Sequence, residues 1–103
     1  MDHVQYMQLA FEHARRTYAA GDRPIGAVIV RDGAIIGEGT NTAAADRDPS
    51  AHAEITALRA ACRRLDTLLL PDATLYTTLE PCPMCLWAIL ETRISRLVIS
   101  TPV

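Results

Sequence analysis

The chain has 103 residues, 50% of them hydrophobic, and a formal net charge of −2 at pH 7. This length predicts one domain with a hydrophobic core and no room for a second domain, and the hydrophobic content excludes an intrinsically disordered chain. The pI is acidic, near 5.8. The chain therefore lacks the excess of basic residues that is typical of proteins that bind nucleic acids. We expect a cytoplasmic protein without membrane contact, because no apolar run approaches the roughly 18 residues that span a bilayer and no secretory pattern opens the chain.

The first half of the chain predicts a helix and then a β-hairpin. Residues 25–30 form an apolar run, residues 31–33 form an Asp-Gly turn, and residues 34–36 begin a second run, which Gly37 and Gly39 are expected to end. Apolar residues also recur at helical spacing and predict the buried face of the opening helix: Val4, Met7, Phe11, Ala14 and Tyr18.

The second half predicts two helices, each followed by a strand. One helix begins near Ser50 and leads to a strand over residues 73–79; a second begins near Pro83 and leads to a strand over residues 96–100. A hairpin followed by such crossovers predicts a three-layer α/β fold, in which helices cover a sheet that contains parallel crossover strands.

His52, Cys82 and Cys85 carry side chains that suit Zn²⁺, which prefers nitrogen and sulfur ligands in a tetrahedron. Three protein ligands leave the fourth position for water, which is typical of a catalytic zinc site rather than a structural one. We expect His52 in the first turn of one helix and both cysteines at the start of the next. Parallel crossovers can bring such helix N-termini together above the strand ends.

The two helix N-termini should lower the pKa values of the Cys82 and Cys85 thiols, and their free N–H groups can hold a developing oxyanion. Two thiolates and one imidazole bring Zn²⁺ to a formal charge of zero. Its water should therefore be less acidic than in a three-histidine site, where the pKa is roughly 7. Glu54, two residues after His52, is the nearest candidate for the helper base that this chemistry requires.

Each residue taken alone also has an ordinary interpretation. A Cys-x-x-Cys pair fits a thioredoxin-like redox site, and Glu54 fits a carboxylate that the helix dipole stabilises. Asn41 follows a glycine-rich strand end, where asparagine usually forms a turn. The combination of one histidine, two cysteines and a nearby glutamate favours zinc.

H-x-E followed by P-C-x-x-C is a signature of zinc nucleobase deaminases, and residues 24–28, 37–41, 48–55 and 78–85 extend the match. Over nearly its whole length the chain resembles the cytidine-deaminase-like superfamily, in the branch of bacterial guanine deaminases and tRNA adenosine deaminases. The resemblance implies one CMP/dCMP-type deaminase domain over residues 1–103. This domain is short at its C-terminus, because members usually continue for several dozen residues.

The resemblance implies that His52, Cys82 and Cys85 bind one zinc ion and that Glu54 shuttles protons. The implied reaction is hydrolytic: zinc-activated water attacks the amine-bearing ring carbon, and ammonia leaves. The implied substrate contacts are Asn41, the backbone of Ala53 and the segment around Gly26.

Residues 55–62 resemble the free-guanine enzymes. Together with the acidic pI, this resemblance favours guanine or a related purine base or nucleoside. The sequence of residues 78–80 leaves a tRNA wobble adenosine deaminase open. A third hypothesis is a non-catalytic zinc-stabilised module in which Cys62 or another histidine supplies a fourth ligand. The family also implies a homodimer, for which Trp87 is a candidate contact.

Overall fold

A computed structural model describes residues 1–101 of the chain. Its four strands are β1 (Gly26–Arg31), β2 (Ala34–Thr40), β3 (Ala73–Leu79) and β4 (Arg96–Thr101). They form one mixed sheet in the order β2-β1-β3-β4, in which β1 is antiparallel to both of its neighbours and β3 is parallel to β4. Strands β2, β3 and β4 therefore run in one direction, which confirms the predicted α/β fold with a hairpin and parallel crossovers.

The helices are α1 (His3–Ala19), α2 (Ala43–Asp46), α3 (Ala53–Leu65) and α4 (Pro83–Glu91). Helix α1 covers one face of the sheet, while α3 and α4 cover the other, so the described part of the chain has three layers. Alternate residues of each strand point to opposite faces, and two separate apolar clusters result. None of the helices in residues 1–101 is long and apolar enough to cross a membrane.

The buried face of α1 differs from the predicted one. Val4 and Tyr18 are 65% and 71% exposed, and of the five predicted residues only Ala14 is buried. The helix instead buries Tyr6, Ala10, Ala14 and Thr17. Small residues are required where it crosses Gly26 of the sheet. A β-carbon at residue 26 would lie 2.0 Å from the carbonyl oxygen of Ala10. Close contact between two backbones requires small side chains. The spacing of large apolar residues in the sequence does not predict such a contact.

Gly37 and Gly39 do not end the second strand as predicted, because β2 continues to Thr40. Both glycines lie under α3. A β-carbon would fall 2.6 Å from the carbonyl oxygen of Ala57 at residue 37, and 2.1 Å from that of Ala53 at residue 39. Glycine is needed here so that α3 can lie directly on the strand.

Candidate metal centre and active site

His52, Cys82 and Cys85 meet at one point of the fold. The Nδ1 atom of His52 lies 3.6 Å from Sγ of Cys82 and 3.4 Å from Sγ of Cys85. Tetrahedral zinc with Zn–S and Zn–N bonds of about 2.3 and 2.05 Å separates nitrogen from sulfur by about 3.6 Å. One ring nitrogen cannot form good hydrogen bonds with two thiols at once, so a shared cation explains this convergence best.

Two helix N-termini position these ligands. His52 is the N-cap of α3 and Cys82 is the N-cap of α4, both with extended backbone torsions and neither with a side-chain capping hydrogen bond. An N-cap side chain normally accepts a hydrogen bond from its own helix, whereas these two side chains point toward each other. His52 was predicted inside the first turn and instead lies one residue before Ala53, where α3 begins.

A closed structural zinc site would require a fourth protein ligand. Among residues 1–101, the group whose ligand atoms lie within 4.8 Å of one another contains His52, Cys82 and Cys85. Neither Cys62 nor another histidine belongs to this group. The fourth ligand of the non-catalytic hypothesis is therefore not found in the described part of the chain.

Glu54 lies in the first turn of α3 and is 3% exposed. Burial raises the pKa of its carboxyl group, against the smaller lowering effects of its own backbone amide and of His52. A raised pKa moves a carboxyl group toward the pH range in which it can both accept and release a proton. The environment of Glu54 therefore suits proton transfer.

The Cys85 thiol corrects one expectation from the sequence. Burial, followed by the nearby charge of Glu54, raises its pKa far above the ordinary thiol value, while the amide of Ile55 lowers it only slightly. Burial therefore outweighs the lowering effect of the helix N-terminus, and the net shift of this thiol pKa is upward. A divalent cation provides the positive charge that a buried thiolate requires, so metal binding and thiol deprotonation are coupled.

A cavity of about 330 Å³ opens beside the ligands. Arg23, Ile25, Leu79 and Glu80 line it and were not predicted from the sequence. Leu79 and Glu80 could have been found, because ligands of α/β sheets commonly bind at the carboxyl ends of the strands. No feature of the sequence near Arg23 predicts that this residue lines the cavity. The full lining is Arg23, Ile25, His52, Glu54, Leu79, Glu80, Pro81, Cys82 and Pro83.

Asn41 is 3% exposed and lies in a second cavity, of about 600 Å³, whose wall also includes His52. Its Oδ1 atom accepts a hydrogen bond of 3.0 Å from the N–H of Ala43, at the start of α2. The side-chain oxygen therefore performs the turn chemistry that was considered as an alternative. A hydrogen bond from Asn41 to a substrate base stays a prediction.

Gly26 and Ala53 are both buried, and neither lines the cavity that contains Glu54. The N–H of Gly26 donates to Oγ1 of Thr78 at 3.1 Å, and the neighbouring Ile25 reaches the cavity instead. Within residues 1–101 the N–H of Ala53 makes no hydrogen bond. The substrate contacts expected of Gly26 and Ala53 remain predictions.

Residues 1–101 match the family described as the cytidine and deoxycytidylate deaminase zinc-binding region. The chain belongs to this family. The match confirms the expected family and its zinc cofactor. His52, Cys82 and Cys85 lie close together as a possible site for that ion.

Two curated relatives represent the two expected branches of the family. A tRNA-specific adenosine deaminase from Aquifex aeolicus is 42% identical over 95 residues, which cover 92% of this chain and 63% of the relative. A guanine deaminase from Bacillus subtilis is 51% identical over 90 residues, which cover 86% of this chain and 58% of the relative. The chain therefore spans about 60% of the length of these relatives, from 58% to 63%.

Solved structures give the same pair of branches. The guanine deaminase of Bacillus subtilis superposes with a TM-score of 0.96 at 46% identity, covering 99% of this chain and 66% of the other. A structure from a study of A-to-I editing by tRNA:A34 deaminases superposes with a TM-score of 0.94 at 43% identity, covering 97% of this chain and 77% of the other. The fold is shared with both branches, and the two scores do not separate them.

Proposed function

We propose that the protein is a zinc-dependent hydrolase that removes an amino group from a nucleobase or nucleoside, with guanine or a related purine as the favoured substrate. The observation that carries this proposal is the position of Glu54 in the same cavity as His52 and Cys82. Bound zinc supplies the Lewis acidity that activates a water molecule.

Glu54 moves the proton in the proposed reaction. Its carboxylate accepts a proton from the attacking water and delivers it to the leaving nitrogen. A carbon–oxygen bond replaces the bond between the ring carbon and its exocyclic amino nitrogen, and ammonia leaves. Burial favours this role, because the proton is exchanged where bulk water is largely excluded and electrostatic interactions are stronger.

The size of the cavity supports a small substrate. Its volume of about 330 Å³ lies near the lower end of ligand pockets, which span about 300–1,000 Å³. A single base fits this volume. The proposal of guanine also draws on the 51% identity to a relative named guanine deaminase.

The test is ammonia release from guanine, adenosine, cytosine and cytidine by the zinc-loaded protein. Glu54→Gln should retain zinc and lose at least about 100-fold in kcat, because general acid–base catalysis contributes 10²–10⁴-fold. Glu80→Gln is the matched control, since Glu80 is an exposed carboxylate at the same cavity. Equal activity of wild type and Glu54→Gln at equal zinc content would exclude the proposed role.

A tRNA adenosine is the second candidate substrate, and Arg23 favours it. This exposed residue lines the cavity of Glu54 and also two adjoining cavities. Within residues 1–101 its backbone N–H binds Asp22, and its guanidinium forms no ion pair. A free guanidinium between cavities suits a phosphate next to a base that is bound at the zinc.

Salt-dependent binding separates the two substrates. If tRNA is the substrate, its affinity should fall steeply with salt, and Arg23→Gln should reduce the slope by about 1. Arg63→Gln, on the exposed side of α3, is the control that should leave the slope unchanged. A protein without affinity for tRNA at low salt would leave the free base or nucleoside as the substrate.

We also propose a homodimer that forms through α4. Leu86, Trp87 and Leu90 are 41%, 66% and 58% exposed, and Glu91 is the only charged residue of this helix. A second copy would present the same uncharged face and cover it without burying an unpaired charge. Sedimentation should give a dimer for wild type and a monomer for Trp87→Glu; a monomeric wild type would refute this proposal.

A further inference from the structure

Three side chains outside the metal centre fasten the loop that leads into His52. Oδ1 of Asp48 accepts hydrogen bonds from the Ser50 hydroxyl at 2.7 Å and from the Ser50 N–H at 2.9 Å. From the second turn of α3, Arg59 donates to Oγ of Ser50 at 3.1 Å, and its other terminal nitrogen lies 3.8 Å from Oδ2 of Asp48. We call Asp48, Ser50 and Arg59 the loop clasp.

The loop clasp determines the path of the two residues before His52. The N–H of Ala51 donates to the carbonyl oxygen of Asp48 at 3.1 Å, and the carbonyl oxygen of Ala51 accepts from Thr42 at 2.9 Å. Ala51 is 2% exposed, so the turn is held against the core. These contacts hold the backbone that leads into His52.

His52 depends on this support because of its place in the chain. As the N-cap of α3 it has an extended backbone (φ −75°, ψ 159°) and no side-chain capping bond. The helix holds His52 on one side only, and on the other side the loop must set its torsions. Arg59 belongs to the helix and binds the loop, so it fixes each relative to the other.

We propose that the loop clasp positions His52 so that its Nδ1 atom meets both sulfur ligands, and that it thereby sets the zinc affinity of the site. Asp48, Ser50 and Arg59 are positioning residues, since none belongs to the group of ligand atoms. The inference deepens the proposed function, because it concerns the same zinc site.

Because the loop clasp is partly exposed, its effect on the position of His52 can be distinguished from an effect on folding stability. The side chains of Arg59 and Asp48 are 42% and 39% exposed, and exposed ion pairs contribute little to folding stability. Removing them should therefore leave the metal-free fold nearly intact. Their removal should instead change the position of the His52 side chain relative to the two sulfur atoms.

The experiment measures zinc affinity of the full chain by competition with a chromophoric chelator. Ser50→Ala and Arg59→Gln should each bind zinc about 10-fold more weakly, the lower end of what supporting residues contribute to metal sites. Ser50→Thr keeps the hydroxyl group and should restore wild-type affinity. Arg63→Gln, a matched control on the exposed side of α3, should leave the affinity unchanged.

Two further measurements guard against a general loss of structure. The double variant Ser50→Ala/Arg59→Gln should lose little more affinity than either single variant, because both remove one network. Cobalt-substituted Arg59→Gln should show an altered ligand-field absorption spectrum. Unchanged zinc affinity in Ser50→Ala and Arg59→Gln, or an equal loss in Arg63→Gln, would overturn the inference.

The outcome does not depend on turnover. Weaker zinc binding in the clasp variants of a protein that deaminates none of the tested bases would support the inference and refute the proposed function. If the protein is an active deaminase and the loop-clasp variants bind zinc normally, the proposed function is supported and the inference is refuted.

Discussion

Gly39 lies directly beneath Ala53: a β-carbon at residue 39 would fall 2.1 Å from the carbonyl oxygen of Ala53 and 2.3 Å from the hydroxyl of Thr56. Ala53 is the first residue of α3 and follows His52. The distance of His52 from the sheet therefore depends on the absence of a side chain at Gly39 of β2. The metal centre and the core are parts of one packing arrangement.

Gly39→Ala should consequently affect both stability and zinc binding. The added methyl group must displace the start of α3, and overpacking of this kind costs about 1–3 kcal/mol. Urea unfolding measures the loss, and chelator competition measures the accompanying fall in zinc affinity. Gly33→Ala is the control: its β-carbon would have no atom within 4 Å, although its φ is +74°.

Gly33→Ala should lose only the conformational cost of a left-handed residue, about 1–2 kcal/mol, and should bind zinc normally. If Gly39→Ala binds zinc as tightly as Gly33→Ala does, the proposed link between the glycine and the ligand is wrong.

Removal of zinc should lower the stability of the protein. A ligand that binds only the folded state contributes about 4 kcal/mol when its free concentration is 1,000 times the dissociation constant. Thermal unfolding with and without a chelator measures the change. Cys85→Ser should abolish the difference between the two conditions, whereas Cys62→Ser should preserve it, since Cys62 lies outside the ligand group. Identical behaviour of the two variants would argue against the assigned ligands.

Two substitutions of Asn41 distinguish a role in substrate binding from a role in the turn before α2. Its Oδ1 atom accepts a hydrogen bond from Ala43, and Asn41→Asp keeps that acceptor while removing the amide donor. If the amide binds the base, KM should rise about 5- to 10-fold in Asn41→Asp, because one hydrogen bond contributes about 1 kcal/mol. Unfolding by urea should be nearly unchanged.

Asn41→Ala removes the acceptor as well and should also lose about 1 kcal/mol of stability. An unchanged KM in Asn41→Asp, with a loss of stability in Asn41→Ala, would leave Asn41 with its turn role alone.

Asp48 should give folding stability a small dependence on acidic pH, in keeping with its exposure. The Ser50 hydroxyl, and then the Ser50 amide, hold the pKa of Asp48 below its ordinary value of 3.8. A carboxyl group with a lowered pKa stabilises the fold above its unfolded-state pKa and loses this contribution as the pH falls through the folded-state pKa. The stability difference between metal-free wild type and Asp48→Asn should therefore be constant near neutral pH and shrink below about pH 4.

Urea unfolding of both metal-free proteins across this range measures the difference. Ser50→Ala removes the first cause of the shift and should weaken the pH dependence. A difference between wild type and Asp48→Asn that persists undiminished at about pH 2 would contradict the assignment.

The chemistry of the site was predictable because it depends on residue types. The side chains of His52, Cys82 and Cys85 can bind zinc in any arrangement that brings them together. The strands that place them follow from local apolar runs and the Asp32-Gly33 turn. The turn itself takes the expected form, since both residues have positive φ, 52° and 74°.

Other features required the tertiary structure, because they depend on distant parts of the chain. The pKa of Cys85 rises because burial outweighs the helix N-terminus, and burial depends on every neighbouring element. Arg23 reaches the cavity of Glu54 across 31 positions of sequence, from Arg23 to Glu54. The side-chain oxygen of Asn41 is engaged by α2, a helix that the polar segment after β2 does not reveal.

The sequence by itself determined which atoms can bind a metal, which residue is the candidate for proton transfer, and the order of the four strands and of α1, α3 and α4. Side-chain chemistry and local backbone preference are properties of a residue and its near neighbours. The tertiary structure alone decided which face of α1 is buried, why Gly37 and Gly39 lie within β2, and how the loop clasp supports His52. These features arise where backbones from separate segments approach within a few ångströms, and that approach is a property of the whole packed chain.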